Sequence, residues 1–138
     1  MHHEHAMLRA LTEVSPAAQA VTALMVGWDE DARDAVDLTL VEALTNIVRH
    51  GPPHETRPIR LEIDLTDASI SIDIVDFTSP MPPDLLERAG TATFEFDADD
   101  VQAIPESGRG LALIMVLMDE VTLHEQDELS RLRLVRRR

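Results

Sequence analysis

Two segments near the middle of the chain alternate apolar and polar residues with the two-residue period of a half-buried strand. Ile59, Leu61, Ile63 and Leu65 alternate with Arg60, Glu62 and Asp64, and Ile70, Ile72 and Ile74 alternate with Ser71 and Asp73. Thr66-Asp67-Ala68-Ser69 lies between them, so the pair predicts a hairpin with one buried face. Such a face has to be covered, and the rest of the chain supplies helices to cover it.

The strongest helical period runs from Asp31 to Arg49, where Val36, Leu40, Leu44, Ile47 and Val48 fall on one stripe and Gly51-Pro52-Pro53 stops the helix. An earlier helix is expected from Ser15-Pro16, with serine as N-cap and proline at the first helical position, ending near Gly27. Val21, Leu24, Met25 and Trp28 would be its apolar positions. Residues 7–12 read as a short edge strand, and Asp84 to Ala89 as a short helix. Residues 91–107 hold five acids and little periodicity, which suggests a mobile loop. Gly108-Arg109-Gly110 opens the apolar run Leu111 to Met118, read as a buried helix. Val121 and Leu123 suggest a strand, Leu132 and Leu134 its hairpin partner, and Asp127-Glu128 the turn. Helices and strands do not alternate one for one. The expected fold is α+β, a two-layer sandwich with helices packed on one face of a mainly antiparallel sheet. At 138 residues it fits one domain and not two, and no internal repeat is visible.

Composition removes several chemistries. Without cysteine there are no disulfides, thiolate zinc sites or cysteine nucleophiles. All twelve basic residues are arginine, so the P-loop lysine, the strand lysine of eukaryotic-type protein kinases and Schiff-base chemistry are absent. A formal charge of −14 argues against direct nucleic-acid binding. No stretch approaches the roughly 18 apolar residues of a membrane span. The start is not a signal peptide, and a cytoplasmic protein is expected. His2, His3 and His5 suit either a frayed terminus or a weak metal chelator.

Three groups of residues have chemical sense. Glu42, Asn46 and His50 are spaced i, i+4, i+8 and share a helix face opposite the apolar stripe, with Arg49 adjacent. A solvated face is the simpler reading. An asparagine carbonyl oxygen can also ligate magnesium, and a glutamate one turn away can take a proton from an attacking hydroxyl. Asp76 ends a strand before a proline-rich turn and suits either a turn residue or an acceptor for a buried ligand. Ser107-Gly108-Arg109-Gly110 precedes a helix, where glycines permit close backbone approach and amides attract phosphate. The simpler reading there is a flexible loop closing onto a helix.

The run Val41-Glu42-Ala43-Leu44-Thr45-Asn46-Ile47-Val48-Arg49-His50-Gly51, followed by Gly108-Arg109-Gly110-Leu111, resembles the N-box and glycine box of the Bergerat-fold ATPases, the group of gyrase and the histidine kinases. Within that group it looks most like the bacterial anti-sigma-factor serine kinases of partner-switching systems. The resemblance implies one histidine-kinase-like ATPase domain over residues 1–138, with ATP and magnesium as cofactors. It implies that Asn46 holds magnesium and that Glu42 is the catalytic base activating a protein serine. Arg49 would lie near the phosphates and His50 against the nucleotide. Asp76 would accept the adenine amino group, with Thr78 in the same turn. Ser107, Gly108, Arg109, Gly110 and Leu111 would approach the phosphates, and residues 91–107 would form the ATP lid. Ser130 falls near the family's adenine-side threonine. The implied partners are an anti-sigma-factor antagonist of the STAS fold, a sigma factor and a second copy of the chain in a homodimer.

The chain departs from the family at two places. Asp76-Phe77-Thr78 stands where Asp-x-Gly is usual, and the lid has no lysine. Both leave room for a module, with or without nucleotide, that regulates by competition between partners without transferring phosphate. A detached domain that phosphorylates histidine is a third reading; the phospho-acceptor and dimerisation helices it needs are missing. The C-terminal arginines Arg131, Arg133, Arg136, Arg137 and Arg138 read as a solvated strand face plus tail, or as a dock for an acidic partner.

Overall fold

The computed structural model describes residues 1–77 and 106–138, with the backbone alone for 106–109. The helix expected over Asp84–Ala89 lies outside the described residues. The elements run β1 (His2–Met7), a 3-10 turn (Leu11–Glu13), α1 (Val14–Thr22), α2 (Glu30–His50), β2 (Ile59–Leu65), β3 (Ser69–Asp76), α3 (Glu106–Leu117), β4 (Glu120–Gln126) and β5 (Leu129–Arg137). The five strands form one sheet in the order β1-β2-β3-β5-β4, antiparallel at every junction. Helices cover one face of it, so the α+β expectation holds.

Register explains why one face is apolar. Leu61 lies opposite Ile74, Ile63 opposite Ile72, Ile72 opposite Leu134, and Ile74 opposite Leu132. The period of two then sends all of them to the same side. They form one core with Ala17 and Val21 of α1, Val36, Leu40, Leu44 and Ile47 of α2, and Ile114 of α3. Acids in the first turn of α2 (Glu30, Asp31) and bases in its last turn (Arg49, His50) complement its dipole.

The other face carries charge. The Asp73 carboxylate accepts hydrogen bonds from Arg131 Nη1 at 2.7 Å and from Arg133 Nε and Nη2, both at 2.8 Å. Arg131 also reaches Glu62 at 3.1 Å, and Glu62 accepts from Arg60 at 3.0 Å. The network spans three strands and buries Asp73 to 6% exposure. Burial alone pushes the Asp73 carboxyl up, but the Arg133 and Arg131 hydrogen bonds outweigh it and hold it below the usual carboxylate range.

Several expectations are corrected. The first strand is His2–Met7, not 7–12, and its histidines are paired with β2 rather than frayed. Among the described residues no cluster of histidine and acid side chains could hold a metal. Helix α1 starts at Val14 with no side-chain cap, so Ser15 lies inside its first turn. A preceding 3-10 turn feeds the helix and makes the cap unnecessary. Helix α1 ends at Thr22, well before Gly27. Gly27 instead turns the chain toward α2 with φ +82°, a conformation side chains resist. Asp127 makes the β4–β5 turn with φ 59°. The C-terminal arginines are not a plain solvated face. Arg136 donates to the Leu117 carbonyl at 2.6 Å, and Arg138 donates to the Gly27 carbonyl at 2.6 Å and lies over the Trp28 ring. Among the described residues no helix is long and apolar enough to cross a membrane.

Candidate functional site

The apolar stripe of α2 is drawn into the core, so the opposite side of the helix turns outward. Glu42 and Asn46 are left half-buried and Arg49 and His50 exposed. Helix α3 packs across this side. A β-carbon at Gly110 would lie 2.6 Å from Glu42 Oε2 and 3.6 Å from Asn46 Nδ2. Residue 110 is glycine because the first turns of α3 press their backbone onto these two side chains. Glu42, Asn46 and Gly110, 64 to 68 residues apart in sequence, therefore meet at one point.

Helix α3 begins at Glu106, earlier than its apolar run implied. Ser107, Gly108, Arg109 and Gly110 lie within its first turns rather than in a preceding loop, and their amides are those a helix leaves without an internal acceptor near its start. The Leu111 side chain is 2% exposed and belongs to the interior, which leaves only its backbone for a ligand. The side chains of Ser107 and Arg109, Thr78, and residues 91–105 of the expected lid lie outside the described residues.

A cleft of about 650 Å³ opens at the C-terminal end of α2. His50 lines it from the helix, Phe77 from the end of β3, and Leu129 and Ser130 from the start of β5. Arg49 is not among the lining residues. On the rim, Arg57 makes two hydrogen bonds to the Glu55 side chain at 2.7 and 2.8 Å and lies 4.0 Å above the Phe77 ring. The Arg57 hydrogen bond lowers the Glu55 carboxyl to about 2, so this pair stays ionised through the neutral range.

Asp76 is fully buried beneath the cleft, opposite Ser130 in the β3–β5 register. The Ser130 hydroxyl donates to the Asp76 carbonyl at 3.5 Å. Arg9, which the sequence gave no reason to single out, grips the Asp76 carboxylate at both oxygens, at 2.6 and 3.2 Å. Its guanidinium passes where a β-carbon at Gly51 would lie, 2.7 Å from that position.

The donor set is compatible with a magnesium nucleotide, since the lack of a side chain at Gly110 lets the backbone of α3 lie directly against the Glu42 carboxylate and the Asn46 amide. Asn46 supplies one hard oxygen donor, which fits an ion that keeps water and phosphate oxygens in its other positions.

The two-layer sandwich, an antiparallel sheet with helices on one face, is the fold that the resemblance implies. Residues 6–136 match the histidine kinase-like ATPase domain, and the chain belongs to that family. Its curated relatives are serine kinases. Serine-protein kinase RsbW from Bacillus cereus (strain AH820) and from Bacillus anthracis (strain A0248) are each 27% identical over 114 residues, which is 76% of this chain and 64% of theirs. The matched region thus spans under two thirds of those relatives. The crystal structure of the RsbU and RsbW domains of Rv1364c from Mycobacterium tuberculosis shares the fold. Its TM-score is 0.63 at 15% identity, covering 99% of this chain and 32% of that one. The resemblance carried by the N-box and glycine box is thus met by the family and by its relatives.

Proposed function

We propose that this domain binds ATP and transfers its γ-phosphate to a serine of a STAS-fold antagonist, and that it holds a sigma factor when the unphosphorylated antagonist is absent. The observation carrying this reading is the contact of Gly110 with Glu42 and Asn46, which sets a base and a hard donor beside a helix start suited to phosphate. In phosphoryl transfer the protein mainly positions groups and neutralises charge. Glu42 takes the proton of the serine hydroxyl as its oxygen bonds to phosphorus and the bond to the β-phosphate oxygen breaks. Asn46 would hold magnesium, which would supply neutralisation of the phosphate charge. Backbone amides near the start of α3 meet the phosphates, with Arg109 beside them. His50 and Ser130 flank the nucleoside in the cleft, and Asp76 accepts from the adenine amino group.

Calorimetry of ATP and ADP with magnesium tests the first half of this reading. The wild type binds, and Asn46→Ala weakens binding by about 10-fold or more. Labelled phosphate tests the second half. Glu42→Ala binds ATP but transfers no label to the antagonist, whereas transfer at the wild-type rate would remove Glu42 as base. Nucleotide binding without transfer by the wild type would leave the competition module as the better reading.

A further inference from the structure

The Asp76 carboxylate, which the proposed function gives to adenine, is already held. It has no exposed surface, and both of its oxygens lie within hydrogen-bond reach of Arg9. The Arg9 side chain is itself only 9% exposed, so the pair is shut off from water. The fold is built around this pair. Gly51 follows directly on the last residue of α2 and has φ −69°, which any residue adopts. A β-carbon there would nevertheless meet the Arg9 guanidinium at 2.7 Å and the Ile47 carbonyl at 2.9 Å, so the absence of a side chain at Gly51 leaves room for the guanidinium. Arg9 lies in the connection between β1 and the 3-10 turn, outside the sheet.

We propose that Arg9 sets the affinity and base selectivity of the nucleotide site by competing with the purine amino group for Asp76. This rests on the nucleotide reading above. A carboxylate held end-on by guanidinium is satisfied in charge and in geometry. Because the carboxylate has no exposed surface, adenine reaches it only by moving the groups that cover it, Arg9 among them, so part of the adenine interaction is spent on that exchange. A nucleotide without an amino donor at this position gains nothing from Asp76 and has no reason to displace Arg9. Arg9 therefore lowers adenine affinity and narrows the difference between adenine and 6-oxo purines. It is a positioning residue, since it acts through Asp76.

The test compares ADP with inosine diphosphate, which has a 6-oxo group in place of the amine. Binding of each is measured by calorimetry on the wild type, Arg9→Gln and Arg9→Lys, at fixed magnesium, with thermal melts as a check on folding. The expected result is that ADP tightens about 10-fold in Arg9→Gln and less in Arg9→Lys, the size of one hydrogen bond to a charged group. Inosine diphosphate gains less than ADP, since its 6-oxo group cannot donate to the carboxylate as the adenine amine does. Equal gains for both nucleotides, or weaker ADP binding in both variants, overturn the proposal while leaving nucleotide binding intact. If neither nucleotide binds the wild type or either variant, the nucleotide reading falls and this proposal with it. If Arg9→Gln does not fold, the wild type decides. Its Arg9 guanidinium resonances shift on addition of ADP and not of inosine diphosphate, and resonances unmoved by saturating ADP overturn the competition.

Discussion

Gly51 and Gly110 are crowded to similar distances but by different kinds of atom. At Gly110 the nearest atom is the carboxylate end of Glu42, which can swing aside. At Gly51 the Arg9 guanidinium lies at 2.7 Å and the Ile47 carbonyl, fixed in α2, at 2.9 Å. Gly110→Ala is therefore expected to melt within a few degrees of the wild type, helped by the better helix propensity of alanine. Its phosphoryl transfer should fall about 10-fold or more, because Glu42 is pushed from its place. Gly51→Ala should instead lose about 1–3 kcal/mol of stability in urea titrations, since backbone has to shift. A destabilised Gly110→Ala with normal transfer would show that the contact serves packing alone. Neither crowding was readable in the sequence. Gly51 looked like a plain helix stop, and Arg9 lies 67 residues from the carboxylate it holds. Glu42, Asn46 and His50 were readable because a single helix carries them at one spacing.

The strands differ in how plainly they announce themselves. β2 and the first half of β3 alternate because one face meets the core and the other meets solvent or charge, whereas Ile72 to Asp76 are buried on both faces. β1 does not, since His2-His3-Glu4-His5 has no apolar alternation and takes its register from β2. The charged face also hid its organisation, because a sequence shows Asp73, Arg131 and Arg133 as ordinary surface residues. Their network has a pH signature. A carboxyl whose pKa is lower folded than unfolded stabilises the fold above its unfolded value of about 4, and that contribution is lost as pH falls through the folded value. Asp73→Asn should accordingly flatten the loss of stability between about pH 5 and 2. Solvent screening of the half-exposed Arg133 keeps the difference small. Urea midpoints across that range check it, and parallel curves for the two proteins would mean that the network contributes nothing.

At the scale of the molecule, a formal charge of −14 is set against arginines of which several, Arg9, Arg131, Arg133, Arg136 and Arg138 among them, are engaged with groups of their own chain. The exterior is left acidic, which favours encounter with a cationic segment of a partner. Stopped-flow association with a basic sigma-factor region should slow by about 10-fold from low to physiological salt, with dissociation changing little. Association indifferent to salt would locate recognition in apolar contacts such as the exposed Leu113 and Val116 of α3. The sheet order adds a constraint on how the protein is made. β5 lies between β3 and β4, so one interior position of the sheet is filled by a strand translated after both of its neighbours. While the ribosome still holds residues 129–137, β3 offers an unpaired edge to any other strand nearby. The Ser130 wall of the cleft does not yet exist at that stage. A nascent chain arrested before Leu129 should thus be prone to aggregate and deaf to nucleotide, and both traits should vanish together once β5 slides into place.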